Sequence, residues 1–460
     1  MEIPFITPNV YEGCFPVNWY YQKQGFNGRP CLMPTPGLLE WADSGYAAEV
    51  RGCKKLDADF AYITIGNRVY RSDTSGSLTL CTGTLNSSTG IVQMETNGVY
   101  VMIVDDINGY YVNGTTLTQI TDPDFPVPSS LTYQDGYFIV TKDGTGEHYI
   151  SGLNDPTTWD SSDYADAEGS PDNAIRAFVD HRELLIFGED STEPYENTGD
   201  VDYPFKRIEG AFIESGLAAK HAVSKLDNTV CWLADDFMIK AMMTYTPAIV
   251  SPEVLCRIIM AYTAKSDAFA YSYKDSGNSF FVITFPSANK TWVYNTATQA
   301  WHQWSSGMNE RRHRSNCHMF FAGKNLVGDM ENGKIYELSN ATYTDDGEII
   351  RRKRISPPLF DPNQKVRLTY NQIEIEFKAG VGLITGQGSD PQVMLRYSDN
   401  NLKTWSNEKW RGIGKIGEYG KKAVWHMLGS SRMRNFELII TDPIEAVVIN
   451  AYANVSRNLS

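Results

Sequence analysis

The chain has 460 residues, which is more than one hydrophobic core usually covers. Its residues are 42% hydrophobic and 21% charged, a composition that excludes an intrinsically disordered chain. Aromatic residues make up 12% of the chain and favour β structure. The net charge is −14, from 41 Lys and Arg against 55 Asp and Glu, and it argues against a dedicated nucleic-acid-binding surface.

The charge is unevenly distributed along the chain. Residues 343–460 hold 17 Lys and Arg and 13 Asp and Glu, a net of +4, which leaves 24 minus 42, or −18, for residues 1–342. Such an acidic field would let DNA slide past without binding, although a plain soluble surface explains it equally well.

Seven scattered cysteines, odd in number and without a Cys-x-x-Cys motif, predict free thiols made in a reducing compartment. The first residues lack the basic and apolar regions of a secretory signal, so we expect none. We also expect no membrane insertion, because no stretch approaches the roughly 18 apolar residues of a spanning helix.

Residues 1–54 are predicted to lead into or close a β-propeller that covers residues 55–342. Short apolar strand cores recur there at intervals of 38 to 50 residues. Several are followed by a tight turn and a second aromatic strand, as at Asn108-Gly109, Asp143-Gly144 and Asn332-Gly333. The cores lie at residues 60–65, 99–104, 137–140, 184–187, 230–233, 280–283 and 319–321.

A hairpin-bearing unit of about 40 to 50 residues matches one four-stranded propeller blade, and the spacing predicts about six to seven blades. A large β-sandwich is the alternative, but its strands would recur every 8 to 12 residues or so without a longer period. Residues 290–304 resemble a kelch blade, in which a strand, an Asn-Thr turn and a Trp-bearing strand follow one another.

Two further features lie inside this region. Residues 153–206 are rich in Asp, Ser, Thr and Pro and are predicted to form an acidic loop excursion from one rim. Residues 251–262 are predicted to form a short helix, with Ser251 as the N-cap and Pro252 at the first helical position.

Past residue 342 the pattern changes to clear alternation, which predicts a C-terminal antiparallel β domain, sandwich-like, over residues 343–460. The fold class is therefore all-β: a propeller with a C-terminal antiparallel β domain. The predicted strands of the second domain lie at residues 373–377, 392–397, 422–427, 435–440 and 446–452.

Candidate sites are few, and we predict no catalytic, cofactor-binding or metal-ligating residue. Residues 398–405 resemble the Asp-box hairpin, a turn that stabilises the fold, with Asn400 and Leu402 departing from it. Residues 311–318 contain two His and one Cys, but three Arg would oppose a cation, so a solvated loop is predicted.

The basic run Arg351, Arg352, Lys353 and Arg354 is the candidate interface. It could bind phosphate or an acidic partner, and a plain solvated linker remains an alternative.

Several stretches resemble the tail hub, or packaged-DNA stabilisation, proteins of short-tailed bacteriophages. Residues 16–20 with 34–38 are similar to that family's opening, residues 164–172 to its central signature, residues 208–211 continue the match, and residues 357–360 are similar to the start of its C-terminal region. Residues 194–196 depart from the aromatic pair that the family pattern leads one to expect.

The resemblance implies a non-enzymatic structural protein of the virion tail, made in the host cytoplasm. It implies a homo-oligomeric ring, a hexamer, that attaches below the portal and its adaptor, extends the DNA channel and helps to retain packaged DNA. The ring would dock a tail needle or plug and tailspikes or fibres, and DNA would pass without sequence-specific binding.

Two other functions fit the same fold. One is a receptor- or glycan-binding propeller of a phage tail, or a propeller glycosidase, which would need paired carboxylates. The other is a cytosolic kelch-like adaptor for other proteins, which the divergence of the repeat units disfavours.

Overall fold

Antiparallel strands form nearly all the regular structure of the computed structural model, which describes residues 2–8, 11–167, 169–200, 203–361 and 366–458. The chain forms two compact units. The propeller unit contains Glu40–Ala288 and Arg314–Leu338, and the sandwich unit contains Met1–Leu39, Asn289–His313 and Ser339–Ser460. The predicted domain boundary after residue 342 stays a prediction.

The chain begins with β1 (Trp19–Gln22), a 3-10 turn (Phe26–Gly28), β2 (Cys31–Pro34) and β3 (Gly37–Asp43). The prediction that residues 1–54 lead into or close the propeller stays a prediction. β1 and β2 join a sheet of the sandwich unit, whereas β3 pairs with the strand Lys334–Ser339 in the last propeller sheet. Trp19 explains the difference: its ring is fully buried in the sandwich core, and its Nε1 donates to the Ala446 carbonyl at 2.7 Å.

Five four-stranded antiparallel sheets follow in the propeller unit, each with its strands side by side in chain order. Their strands are β4 (Val50–Lys55), β5 (Phe60–Ile65), β6 (Arg68–Asp73) and β7 (Leu78–Leu80); β8 (Gln93–Thr96), β9 (Val101–Val104), β10 (Gly109–Asn113) and β11 (Thr116–Gln119); β12 (Pro128–Gln134), β13 (Tyr137–Lys142), β14 (Glu147–Gly152) and β15 (Asp155–Asp166); β16 (Ala174–Asp180), β17 (Glu183–Gly188), β18 (Thr192–Asn197) and β19 (Phe205–Arg207); and β20 (Val223–Leu226), β21 (Thr229–Leu233), β22 (Ile239–Met243) and β23 (Thr246–Ile249).

The propeller unit continues with the helix α1 (Glu253–Met260) and the strand pair β24 (Phe269–Asp275) and β25 (Asn278–Phe285). The hairpin β26 (Lys290–Asn295) and β27 (Ala300–Trp304) belongs to the sandwich unit. The propeller unit resumes with β28 (Ser315–Phe321), β29 (Lys324–Asp329) and β30 (Lys334–Ser339), which pair antiparallel in that order.

Seven first strands surround a common axis. In the described part of the propeller unit β4, β8, β12 and β16 contact one another in turn, β20 contacts β24, β24 contacts β28, and β28 returns to β4. Arg176 on β16 joins the two arcs, because its Nη1 donates to the Lys220 carbonyl just before β20 at 3.0 Å. The predicted propeller is thereby confirmed, with seven sheets contributing a strand to its centre.

The predicted repeat of apolar cores corresponds, with one exception, to the second strand of each sheet. Six of the seven apolar cores fall on second strands, and only 319–321 falls on a first strand, β28. The predicted tight turns are confirmed between β9 and β10, β13 and β14, and β29 and β30. Gly109 has a different role from the one expected, because it lies inside β10, where a Cβ would come within 2.4 Å of the Phe125 ring.

The predicted acidic excursion over residues 153–206 is corrected, since the chain there forms β15 to β18 and part of β19. Asp155 and Asp160 do not mark a loop: their carboxylates accept the amides of Thr157 and Ser162 at 2.9 and 2.8 Å and support bends along β15. Trp159 lies buried against Phe125 and anchors the strand. Glu168 and residues 201–202 lie outside the described residues.

The predicted helix is confirmed as α1, one position later than its expected start. Pro252 is the N-cap residue, whereas the Ser251 hydroxyl accepts the Ile239 amide at 3.0 Å. None of the helices in the described ranges is long and apolar enough to cross a membrane.

The sandwich unit contains two sheets that share one core, and each of the five predicted C-terminal strands is present. One sheet has the order β1-β2-β41-β35-β38, with β39 also paired to β35, and the other has the order β33-β40-β36-β37, with β34 paired to β40. Their strands after residue 350 are β33 (Arg352–Ile355), β34 (Leu359–Phe360), β35 (Arg367–Phe377), β36 (Gln392–Ser398), β37 (Lys409–Gly412), β38 (Ala423–His426), β39 (Ser430–Ser431), β40 (Met433–Ile440) and β41 (Val448–Asn458). The short strands β31 (Thr344–Asp345) and β32 (Glu348–Ile349) lie outside these two sheets: they pair with each other, and β31 runs parallel to β3, with Asp345 opposite Leu38.

A buried histidine makes the propeller unit sensitive to acid. His148 on β14 is fully buried against Tyr195 and Tyr203, and burial lowers its pKa from 6.5 to about 4. Since the unfolded chain binds this proton first, the stability contributed by neutral His148 is complete above pH 6.5 and is lost as pH falls towards 4. The free energy of unfolding of the parent chain should fall between pH 7 and pH 4.5. We expect this fall to be smaller by about 2 to 3 kcal/mol in His148→Phe.

The measurement is guanidinium unfolding followed by tryptophan fluorescence at both pH values. His426→Phe, at an exposed position on β38, is the matched control and should leave the drop unchanged. An equal drop in His148→Phe and the parent chain would contradict this assignment.

Candidate interaction site

The basic run at residues 351–354 is not a linker, because its last three residues open strand β33. β33 pairs antiparallel with β40, with Arg352 opposite Ile440 and Arg354 opposite Leu438. Successive side chains of a strand point to opposite faces. Arg352 and Arg354 therefore point inward and are fully buried, whereas Arg351 and Lys353 remain partly exposed.

Arg354 fastens the N-terminal segment to the sandwich unit. Its Nε donates to the Phe5 carbonyl at 2.8 Å, its Nη1 donates to the Cys14 carbonyl, and its Nη2 lies 3.5 Å from the Thr7 carbonyl. Burial lowers the pKa of Arg354 to about 10, so the side chain stays charged at neutral pH. A guanidinium has five donors, and this one thereby links strand β33 to the carbonyls of the N-terminal segment.

Arg352 lies in a more polar part of the same interior. Its Nη1 lies 3.5 Å from the Asp442 carbonyl, and its guanidinium faces the Tyr343 ring at 5.8 Å. Burial lowers its pKa to about 10, and nearby Asp345 opposes that shift. Neither Arg352 nor Arg354 presents its charge at the surface of the chain.

Arg351 and Lys353 share one carboxylate of the same unit. The Lys353 Nζ lies 2.6 and 2.7 Å from the two oxygens of Glu310, and the Arg351 Nη1 lies 3.4 Å from it. The acidic partner expected for the run is therefore partly supplied from within the chain. An interface role for the exposed part of these two side chains stays a prediction.

The run at residues 311–318 is also different from the predicted solvated loop. Arg311 pairs with Glu348 at 3.2 Å in the sandwich unit, and Arg314 pairs with the buried Asp329 at 2.6 Å in the propeller unit. The last four residues belong to β28, and burial lowers the pKa of His318 to about 4. Strand burial could not be recognised because charged residues mask the alternation.

The Asp-box-like segment forms a stabilising turn after β36. The Asn400 Oδ1 accepts the Thr404 amide at 2.9 Å, and the Ser398 hydroxyl accepts the Leu402 amide at 3.0 Å. Asp399 makes a bidentate pair with Arg434 at 2.6 and 2.8 Å, and that guanidinium stacks over Tyr397. The side chains of Ser398, Asp399 and Asn400 are thus engaged in holding the turn.

One feature that the sequence did not reveal is a cavity of about 170 Å³ on the propeller axis. Strands from all parts of the ring line it, including residues Glu95, Arg176 and Tyr271. Burial lowers the pKa of Arg176 to about 10, and Glu95 pairs with Lys54 at 2.5 Å. Among the described residues, no three His, Cys, Asp or Glu side chains converge as they would around a metal ion.

These features define an all-β protein with a propeller unit and a sandwich unit, in which the conspicuous charged clusters hold the fold. The sequence matches two family models, described as Bacteriophage P22 Gp10, beta-propeller, over residues 7–343, and Bacteriophage P22 Gp10, beta-sandwich, over residues 354–456. The chain therefore belongs to the phage P22 Gp10 family, a structural tail hub and DNA-stabilisation family of short-tailed phages. This membership implies a place in the virion.

The solved structures that this chain is similar to have low sequence identity to it. The extracellular domain of BT4673 from B. thetaiotaomicron is 8% identical, with a TM-score of 0.44, and the match covers 94% of this chain and 62% of that one. PorZ of Porphyromonas gingivalis is 8% identical, with a TM-score of 0.40, and the match covers 72% of this chain and 44% of PorZ. No curated protein matches the sequence.

The two kinds of arginine in the basic run predict different mutational effects. Arg354→Met should destabilise the sandwich unit by about 3 to 5 kcal/mol, because buried carbonyls lose their donor. Arg351→Met, at a partly exposed residue three positions earlier in the same run, should change stability by less than about 1 kcal/mol. Chemical denaturation of both variants measures the difference in stability. Equal effects would contradict the role of Arg354 in fastening the N-terminal segment to the sandwich unit.

Proposed function

We propose that this chain is the tail hub that attaches below the portal and its adaptor, in a ring of six copies. The ring extends the DNA channel, helps to retain packaged DNA, and docks the tail needle or plug and the tailspikes or fibres. Copies are made in the host cytoplasm and catalyse no reaction. The observation that carries the proposal is that two family models of one tail hub protein together match most of the chain, in the expected order.

The size of the axial cavity supports a channel between copies. A cavity of about 170 Å³ cannot admit a DNA duplex, whose major groove alone is about 12 Å wide. DNA would therefore pass through the centre of a ring of chains, past their surfaces. The net charge of −18 on residues 1–342 suits this path, because like charges prevent the duplex from adhering.

A structural role also agrees with how the charged clusters are used. The carboxylates of Glu310, Asp329 and Asp399 each pair with a basic side chain of their own unit. A glycosidase would instead require two carboxyl groups facing a common substrate cleft. These three carboxylates support the hub proposal over the glycosidase alternative.

The decisive experiment is native mass measurement of the purified chain, alone and mixed with its cognate portal–adaptor complex. We expect a discrete complex with a ring of copies per portal–adaptor assembly, whether or not the chain alone is monomeric. A portal–adaptor complex from an unrelated phage is the control and should not bind. A chain that never binds the cognate complex, or that cleaves host polysaccharide, would overturn the proposal.

A further inference from the structure

Two cysteines face each other where the propeller ring closes. Cys53 lies on β4, the first strand of the first sheet, and Cys317 lies on β28, the first strand of the last sheet. Their sulfur atoms are 3.3 Å apart, although 264 positions separate them in the sequence. The other five cysteines are buried, whereas these two are partly exposed.

The surroundings hold this pair in place and leave it reachable. Both cysteines line the axial cavity, and both are partly exposed. Gly328 on β29 provides the space: a Cβ there would lie 2.9 Å from the Cys317 sulfur and 2.3 Å from Val50. The two thiols therefore meet in a site whose backbone is fixed by strand pairing on both sides.

A disulfide needs only a small further approach. The S–S bond length is about 2.05 Å, so the sulfur atoms must close by roughly 1.2 Å, within reach of side-chain rotation. Structural disulfides form outside the reducing cytosol, and a virion leaves that compartment when its host lyses. The inference uses the virion location that family membership implies, and it does not depend on the docking partners of the hub.

We propose that Cys53 and Cys317 form a redox latch: they stay as thiols while the chain folds in the cell, and become a disulfide that joins the first and last sheets in the released particle. A peroxide can supply the oxidising equivalents. One thiol reacts with it to give a sulfenic acid and water; the second thiol then displaces that hydroxyl as water and forms the S–S bond. Two thiols and one peroxide thus yield one disulfide and two waters.

The surroundings of the two thiols predict that the disulfide forms slowly at neutral pH. The hydrogen bond to Cys317 and burial raise the pKa of Cys53 well above its usual value, so little thiolate is present at neutral pH. Since thiolate is the reactive form, the reaction should accelerate as pH rises. Because the closed loop is long, the disulfide should raise the melting temperature by about 5 °C or more.

The test uses the purified full-length chain, treated with limiting hydrogen peroxide or kept in reductant. Unreduced proteolytic digests analysed by mass spectrometry should contain a peptide pair joined through Cys53 and Cys317, and only after oxidation. The melting temperature should rise with this link and return when dithiothreitol is added. Cys53→Ser should abolish both effects, whereas Cys14→Ser, at a buried cysteine of the sandwich unit, should retain them.

A second experiment measures the oxidation state of Cys53 and Cys317 in infected cells and in released phage particles. Alkylation of thiols before lysis should label both cysteines, and alkylation of released particles should find them linked. Absence of the link in the oxidised, folded parent chain would overturn the proposal even if the variants fail to fold. A link formed by peroxide but absent from released particles would overturn its role as a latch. Neither result bears on portal binding, so the hub proposal is judged separately.

Discussion

Closure of the ring is the constraint on which the propeller unit depends. A propeller has no free end at its centre, so the first strand of the first sheet must meet the first strand of the last. Here β4 lies against β28, and the contact leaves no spare volume: Gly328 must lack a side chain because Val50 occupies that position. The same proximity brings Cys53 within 3.3 Å of Cys317. Segments about 260 residues apart thus depend on each other, and the sheets between them must keep their spacing for the contact to form.

Buried arginines hold connecting segments of the chain by donating hydrogen bonds to their backbone carbonyls. Arg51 on β4 donates to the carbonyls of Gly66, Ser87, Thr89 and Gly90 and so fixes the connection between the first two sheets. Arg354 does the same for the N-terminal segment of the sandwich unit. A guanidinium has five donors and no acceptor, which suits a cluster of converging carbonyls. Removing such a side chain leaves several carbonyl acceptors without their donor at once, so the loss is expected to be large for a single substitution.

The sequence predicted the features that repeat and missed those that depend on distant partners. Second strands are buried on both faces and appear as short apolar runs, so their spacing revealed the propeller, and Asn-Gly and Asp-Gly marked its turns. The 153–206 region was misread because the aspartates that bend β15 resemble a loop in composition. The place of β1 and β2 in a sandwich sheet could not be predicted, because nothing near Trp19 shows that its partner is Ala446. The basic run was read as a surface because inward-facing arginines are rare, and only the pairing with β40 shows that Arg352 and Arg354 point inward.

The arrangement also determines which surfaces are left for function. The axial cavity is small, the basic run is largely used inside the sandwich unit, and the Asp-box turn is occupied by its own hydrogen bonds. Surface chemistry is therefore concentrated on outer strands and loops, where large apolar side chains such as Met243 and Ile249 are more than half exposed. Scattered exposed apolar residues are common on any protein. In the ring proposed above, however, such outer edges are where neighbouring copies would meet. The paired charges of the interior hold the strands that carry those edges, so the fold and the proposed docking surface depend on the same contacts.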